Sequence, residues 1–316
     1  MFFVWGFERS DYNARMTDPK NQPIFTLGQL IEETELRFEE AELSYGHGTT
    51  NAFDEAAFLA LEGLKLPIDG LEEFWERPLS APEQAKLEAL MTARITTRKP
   101  ASYLVNRAYI QGVPFYVDER VIVPRSFIAE ILTQEDGFSR IGDYEAVQTA
   151  VDICTGSGCL AVLASYLFPN ARVDAVELSD DAMAVAQKNF DDSEMASRLK
   201  LHQGDLFGPL KGKTYDLIIT NPPYVDRAAM EILPDEYRHE PAMALAGGDD
   251  GMDLVRRILR ESVDYLTPDG GLLCEVGRGR DILENEFDLP FLWIDTEDSE
   301  GEVFWLSRAQ LAASKI

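Results

Sequence analysis

From about residue 150 onward, the chain alternates short apolar runs with amphipathic segments, and this alternation constrains its fold more than any other feature. The runs have the length and content of buried strands, and helical patterns follow the first two. Such alternation is typical of a parallel sheet covered by helices on both faces. The predicted strands are 151–154, 172–178, 200–203, 215–220 and 271–276, and the predicted helices are 159–167, 180–190 and 251–266.

Two last apolar runs, 291–294 and 303–306, have no helical pattern between them. Strands joined without a crossover helix pair antiparallel. The sequence therefore predicts an α/β fold, with a doubly wound, Rossmann-like parallel sheet that ends in an antiparallel edge pair.

The first part of the chain has a helical period. Apolar residues recur at three- and four-residue spacing after Thr26, and a second such pattern covers 51–66 and ends before Pro67. A third helix begins at the capping box formed by Ser80 and Glu83 and continues to about residue 98. Three helices with short connections predict a small bundle.

A β-rich stretch with turn residues connects the two regions and predicts a hairpin, followed by a helix over 127–132. We therefore divide the chain into four parts. They are a tail over 1–23, a helical domain over 24–107, a β-hairpin linker over 108–124 and an α/β domain over 125–316.

The chain is strongly acidic, with 56 acidic and 29 basic residues and a net charge of -27. Nucleic-acid affinity depends mostly on Lys and Arg, and the sequence has no basic patch, so stable DNA binding is not expected. Residues 281–302 hold nine acidic residues and no basic one. This run either attracts a basic protein partner or reflects solubility or a salt-adapted host.

The three cysteines have no C-x-x-C spacing and the three histidines are far apart, so we expect neither a metal site nor disulfides. The apolar first seven residues are too short for a signal core, and no segment approaches the roughly 18 apolar residues of a membrane span. The sequence predicts a cytoplasmic protein without membrane binding.

Ligand-type residues follow four successive predicted strands. The first strand leads into Asp152-Ile-Cys-Thr-Gly-Ser-Gly158, whose glycines allow close approach of the backbone to a ligand. Glu177 ends the second strand, where a carboxylate can accept both ribose hydroxyls. After the third strand, Asp205 can accept an adenine amine and Leu206 can cover the ring.

The fourth strand is followed by Asn221-Pro-Pro-Tyr224. Two prolines fix two φ angles, which holds the Asn221 side chain and the Pro222 carbonyl in one arrangement. Both groups can accept hydrogen bonds from one planar NH2 group, and Tyr224 can cover its flat face.

This order of residues resembles the class I S-adenosylmethionine-dependent methyltransferases, and N-P-P-Y resembles the subset that methylates planar nitrogens. The resemblance implies S-adenosyl-L-methionine as cofactor. The family commonly has Gly where this chain has Cys154, whose thiol must therefore point away from the cofactor. The implied catalytic residues are Asn221, Pro222, Pro223 and Tyr224, and the implied cofactor-binding residues are Asp152, Cys154, Thr155, Gly156, Ser157, Gly158, Glu177, Asp205, Leu206 and Asn221.

The stretch after N-P-P-Y, with Glu240-Pro241, Ala244-Leu245 and Gly248-x-x-Gly251, resembles the protein glutamine methyltransferases. One subgroup modifies release factors and usually has Pro-Arg-Pro-Glu-Thr-Glu where this chain has Pro-Arg-Ser-Phe-Ile-Ala from Pro124. The residues around Tyr45-Gly-His-Gly-Thr resemble the other subgroup, which modifies a glutamine of protein three of the large ribosomal subunit.

This resemblance implies a basic large-subunit ribosomal protein as substrate and a helical domain that selects it. Candidate substrate contacts are His47, Arg125, His239 and Glu240. Three alternatives are a release-factor methyltransferase, an amino-methyltransferase of nucleic acids and a non-catalytic scaffold. The acidic charge disfavours the second of these, and the intact set of strand-end residues disfavours the third.

Overall fold

The computed structural model describes residues 25–134, 137–297 and 299–313. The predicted tail over 1–23 lies outside the described residues. The chain forms two compact units. Of the described residues, those from 25 to 106 and from 234 to 239 form one unit, and those from 107 to 233 and from 240 onward form the other. The segment 234–239, which the sequence assigns to the α/β domain, is therefore part of the helical unit.

The helical unit contains the three predicted helices and two short ones. Thr26 caps the first helix through a reciprocal pair of hydrogen bonds with Gln29, and Asn51 caps the second. The predicted capping box of Ser80 and Glu83 is also present. The helices are α1 (Leu27–Glu40), α2 (Ala52–Leu64), α3 (Leu71–Phe74), α4 (Ala81–Thr97) and α5 (Ala101–Val105).

The hairpin is shorter than predicted. Strands β1 (Ala108–Ile110) and β2 (Val113–Phe115) pair antiparallel around Gln111 and Gly112, which both have positive φ, as a tight primed turn requires. Residues 116–123 do not continue as a strand; 119–120 form a turn, beside which Asp118 accepts hydrogen bonds from the Tyr116 hydroxyl and from the Arg120 backbone and guanidinium.

The second unit contains a seven-stranded sheet in the order β5-β4-β3-β6-β7-β9-β8. Five neighbouring strands are parallel, and β9 is antiparallel to both of its neighbours, so the predicted antiparallel edge pair and the α/β fold class are confirmed. The strands are β3 (Thr149–Ile153), β4 (Arg172–Glu177), β5 (Leu199–Gln203), β6 (Tyr215–Thr220), β7 (Leu266–Glu275), β8 (Leu292–Ile294) and β9 (Val303–Ser307).

Helices cover both faces of this sheet, and the alternating side chains of β6 show why. Ile219 packs into an apolar cluster with Leu163 and Phe168, whereas Ile218 packs on the other face with Ile258 and Leu259. The helices are α6 (Phe127–Thr133), α7 (Cys159–Leu167), α8 (Asp180–Asp192), α9 (Arg227–Glu231), α10 (Asp253–Ser262), α11 (Arg280–Glu286) and α12 (Arg308–Ala313). Within the described ranges, no helix has the length and apolar content needed to cross a membrane.

Candidate active site

A cleft lies at the carboxyl ends of the parallel strands, where β3 and β6 are neighbours and the strand order changes direction. It brings together seven residues that the sequence predicts as site residues. They come from the ends of four strands, and they are Cys154, Gly156, Glu177, Asp205, Leu206, Asn221 and Pro223.

The loop between β3 and α7 approaches the cleft closely. Gly156 lines the cleft at a φ of +56, and its N–H donates to Glu177. Gly158 has a φ of +81, and a Cβ there would lie 2.6 Å from the ring of Phe190. Both the backbone conformation and the packing therefore require glycine at this second position.

The Glu177 carboxylate orders the loop that surrounds it. Oε2 accepts the Gly156 N–H at 2.9 Å, and Oε1 accepts the N–H groups of Leu178 and Ser179, each at 2.9 Å. A carboxylate offers about four acceptor positions, so this arrangement leaves about one for a ligand hydroxyl. The expectation that Glu177 accepts two ribose hydroxyls exceeds that capacity in this geometry.

Asp205 forms a two-bond ion pair with Arg257 of α10, at 3.1 and 2.9 Å. Two of the acceptor positions of its carboxylate therefore remain available to a ligand amine. The pairing was not predicted from the sequence, and it holds the carboxylate in a defined orientation.

Asn221 lines the cleft, and its Nδ2 donates to the main-chain carbonyl of Arg125 at 3.3 Å. A carbonyl only accepts, so the partner determines which end of the side-chain amide faces it. The Asn221 Oδ1 is thereby left as the acceptor of this side chain. Pro223 lines the same cleft, whereas Pro222 is buried and is not part of the lining.

Asp152 lies beneath the loop and not in the cleft lining. Its Oδ2 accepts the Thr155 hydroxyl and the N–H of Ala161 in the first turn of α7, so it stabilises the start of this helix. Burial raises the pKa of Asp152 to about 7, and within the described residues its Oδ1 has no hydrogen-bond partner. Thr155 and Ser157 are buried as well, and Gly158 starts the helix. The lining contains none of these four residues.

Cys154 lines the cleft at a φ of +61, a region that favours glycine. This conformation explains why the family commonly has Gly at this position. Burial raises the pKa of the Cys154 thiol, so the thiol stays protonated.

Tyr224 does not line the cleft, so its predicted role as a cover for the acceptor amide has no support in this geometry. Its hydroxyl donates to Glu275 at 3.1 Å, and its ring packs on Gly277, where a Cβ would lie 2.6 Å from Tyr224 Cε2. Tyr224 is a packing residue of the strand ends in this structure.

The four predicted substrate contacts are divided between the two units. Arg125 and Glu240 pair with each other through two bonds of 2.6 Å, so Glu240 fixes the position of the Arg125 guanidinium. In the helical unit, His47 is 2% exposed beneath the Tyr237 ring, and this burial opposes a direct peptide contact. His239 is partly exposed, and its Nε2 lies 2.8 Å from the Thr97 carbonyl.

Several lining residues were missed from the sequence. Leu178 directly follows Glu177 and is 54% exposed. Its position at the end of a predicted strand is the sequence signal that could have identified it. Arg120 and Ile122 were interpreted as parts of a strand, and Met243, 52% exposed, lies far along the chain. The full set of missed lining residues is Arg120, Val121, Ile122, Val176, Leu178, Ser179, Ala182, Gly204, Pro241, Met243, Ala244 and Leu254.

Comparison with known proteins decides among the predicted families. Residues 139–234 match the model of the methyltransferase small domain. The ribosomal protein uL3 glutamine methyltransferase of Bradyrhizobium diazoefficiens is 53% identical over 91% of this chain and 92% of that protein. The chain belongs to the family of ribosomal protein uL3 glutamine methyltransferases. The Bordetella pertussis member of this family is 47% identical over 94% of this chain and 99% of its own length.

The family predicted from sequence, the enzyme class and the subgroup are therefore confirmed. Among solved structures, a methyltransferase from Pyrococcus furiosus matches 72% of this chain and 99% of its own, with a TM-score of 0.43 and 16% identity.

Proposed function

We propose that this family member transfers a methyl group from S-adenosylmethionine to the side-chain amide nitrogen of a glutamine in ribosomal protein uL3. Family membership supports the substrate. The observation that carries the chemistry is the position of Asn221, which lines the cleft while its Nδ2 is tied to the Arg125 carbonyl. Because ribosomal proteins are assembled in the cytoplasm, we also propose that the enzyme acts there.

The residues of the cleft fit an adenosine-containing cofactor. Leu178 and Leu206 provide apolar surface for a flat ring, and Asp205 keeps acceptor positions for its amine. Glu177 keeps about one acceptor position for a ribose hydroxyl.

Bound S-adenosylmethionine would supply an electrophilic methyl group, and the protein must supply orientation. An amide nitrogen is a poor nucleophile because its lone pair is delocalised into the carbonyl. In this proposal, Asn221 Oδ1 accepts one hydrogen of the glutamine NH2 group, whereas the Pro222 carbonyl, which the resemblance assigns to the other hydrogen, is not part of the cleft lining. The Asn221 bond strengthens as positive charge develops on nitrogen, so it stabilises the transition state more than the ground state. Positioning then accounts for much of the rate.

Glu177→Ala is expected to weaken the binding of S-adenosylhomocysteine by at least about tenfold. The substitution removes the ribose acceptor and leaves the N–H groups of Gly156, Leu178 and Ser179 without their carboxylate. Titration calorimetry measures the effect, and the control is Glu194→Ala, which removes an exposed carboxylate just after the end of α8. A dissociation constant within twofold of wild type would show that Glu177 does not hold the ligand.

The acidic surface supports a basic partner. Seven carboxylates of the acidic stretch 281–302 are exposed, namely Asp281, Glu284, Glu286, Asp288, Asp295, Glu297 and Glu300. The net charge of the whole chain is -27. Clustered like charges steer oppositely charged proteins over about one Debye length. We propose that the enzyme binds uL3 as a basic protein before RNA covers it, and that the helical unit selects the substrate.

The rate of association with uL3 is therefore expected to fall about tenfold or more from low to about 1 M ionic strength, because salt screens steering. Stopped-flow fluorescence with labelled uL3 measures this rate, and an uncharged osmolyte at matched osmolality is the control. An association rate that is indifferent to salt would contradict electrostatic steering.

The direct test of function uses tritiated S-adenosylmethionine with purified uL3, a release factor and naked ribosomal RNA in separate reactions. Label on a glutamine of uL3, located by mass spectrometry, is the expected result. Label on the release factor would show that this enzyme has the activity of the other subgroup. Label on RNA alone would contradict the proposal that its substrate is a protein.

A further inference from the structure

The turn formed by residues 123–127 is held by two buried carboxylates from distant parts of the α/β unit. On one side, Glu240 Oε1 accepts the Val123 N–H at 2.8 Å and Arg125 Nη1 at 2.6 Å. On the other side, Glu275 Oε2 accepts the Ser126 hydroxyl at 2.6 Å and the Phe127 N–H at 2.9 Å. The turn therefore has little freedom to move.

Both ends of N-P-P-Y are attached to this turn or to its carboxylate. Asn221 Nδ2 donates to the Arg125 carbonyl at 3.3 Å, at the centre of the turn. The Tyr224 hydroxyl donates to Glu275 Oε1 at 3.1 Å, while the other oxygen of the same carboxylate holds Ser126 and Phe127. Glu275 thus joins the last residue of the motif to the turn that orients its first residue.

The surroundings of Glu275 show how much this junction depends on one side chain. Its carboxyl is 1% exposed at the end of β7, and burial raises its pKa to about 7. Burial also raises the pKa of Tyr224 well above its usual value, so the hydroxyl remains a donor. A buried carboxyl is costly unless hydrogen bonds satisfy it, and here three donors do so.

We propose that Glu275 is a positioning residue for methyl transfer, which fixes the Asn221 amide by holding Tyr224 and the 123–127 turn together. This inference rests on the proposed function of Asn221 as acceptor of the glutamine NH2 group. Glu275 does not line the cleft and need not touch the substrate. Its loss allows the Arg125 carbonyl to shift, and a displacement of about 1 Å at a reacting group costs on the order of a hundredfold in rate.

The test compares Glu275→Ala, Glu275→Gln and Asp216→Asn with wild type. Asp216 is a matched control, because its carboxylate, like that of Glu275, accepts bonds from backbone N–H and from two hydroxyls, at the opposite end of the sheet. The assay measures kcat and KM with uL3 and S-adenosylmethionine, and calorimetry measures S-adenosylhomocysteine binding. A second readout, the nitrogen-15 spectrum of the Asn221 side-chain amide, requires no substrate; its signals are those that Asn221→Ala removes.

Glu275→Ala is expected to lower kcat about a hundredfold and to shift the Asn221 amide signals, with KM and cofactor binding nearly unchanged. Glu275→Gln keeps one acceptor for the turn and places a donor beside Tyr224, so it should recover about tenfold of that loss. If Glu275→Ala does not fold, Glu275→Gln alone carries the comparison. Asp216→Asn should retain the kcat of wild type and the position of the Asn221 signals.

Unshifted Asn221 signals in both Glu275 variants would overturn the positioning role, whatever substrate the enzyme uses. An equal fall of kcat in Asp216→Asn would also overturn it, because general destabilisation would then explain the loss. Failure of wild type to label uL3, with Asn221 signals that still respond to Glu275, would instead reject the proposed function and leave the structural link intact.

Discussion

Replacing Asn221 with alanine is expected to lower the kcat of glutamine methylation about a hundredfold to a thousandfold, because a preorganised hydrogen-bond partner of the transition state is lost. The substitution removes Oδ1. This oxygen is the acceptor that remains on the side chain because Nδ2 is bonded to the Arg125 carbonyl. Binding of S-adenosylhomocysteine should stay within about threefold of wild type, since in the proposed cofactor site the polar contacts of the adenosine end are assigned to Glu177 and Asp205, which line the cleft. Single-turnover assays and calorimetry separate the two quantities.

Two controls make this prediction sharper. Asn170→Ala removes a similar bond, from Nδ2 to the Glu145 carbonyl at 3.0 Å, on an exposed surface, and should not change kcat. Asn221→Asp keeps an acceptor but places a carboxylate oxygen against the Arg125 carbonyl, so it should be nearly as impaired as alanine. Near-normal turnover of Asn221→Ala would remove Asn221 from the mechanism. Loss of cofactor binding in proportion to kcat would make it a binding residue only.

The strand ends of the site were predictable because they depend on local patterns. The buried run of β6 ends where periodicity places it, at Thr220, and Asn221 follows directly. A parallel sheet brings the ends of its strands to one edge, so Glu177, Asp205 and Asn221 were expected to meet. The capping box of Ser80 and Glu83 was recognisable for the same reason, since a helix start is a short-range event.

The pairing of polar side chains was not predictable, because it depends on contacts between distant parts of the chain. Asp205 meets Arg257 and Tyr224 meets Glu275, each across about fifty residues of sequence. Periodicity predicts which face a side chain occupies but not which partner lies opposite. In the sequence, Glu275 is simply a residue near the end of a predicted apolar strand. Only the structure shows that its carboxyl joins Tyr224 to the 123–127 turn.

The helical unit illustrates the same limit. Residues 234–239 follow N-P-P-Y in sequence, yet they pack with the helices through Glu236, which is fully buried. Glu236 Oε1 accepts Arg94 Nη1 at 3.3 Å and the Ser44 N–H at 3.1 Å. Arg94, also fully buried, bonds Glu55 at 2.6 Å through Nε. Arg94 of α4 therefore joins this helix to α2 and to the segment 234–239.

Arg94→Met is expected to lower the free energy of unfolding of the helical unit by about 3 to 5 kcal/mol. Methionine preserves most of the side-chain length but leaves Glu55 buried without its cation and leaves Glu236 with Arg98 alone, at 3.2 Å. The loss is large because a buried charge without a partner retains its full desolvation cost. Hydrogen exchange measured by mass spectrometry on peptides from α2 and α4 reports the stability of this unit, with peptides from β3 and β6 as an internal reference.

Arg37→Met is the matched control, since Arg37 also forms an arginine-glutamate pair in the helical unit. It bonds Glu88 twice at 2.8 Å, but the Glu88 side chain is 53% exposed, so its loss should cost no more than about 1 kcal/mol. Combining Arg94→Met with Glu55→Gln and Glu236→Gln removes the buried charges and should restore much of the stability. If the triple variant is as unstable as Arg94→Met alone, lost packing and not an unpaired charge explains the effect. Equal losses for Arg94→Met and Arg37→Met would contradict the role of burial.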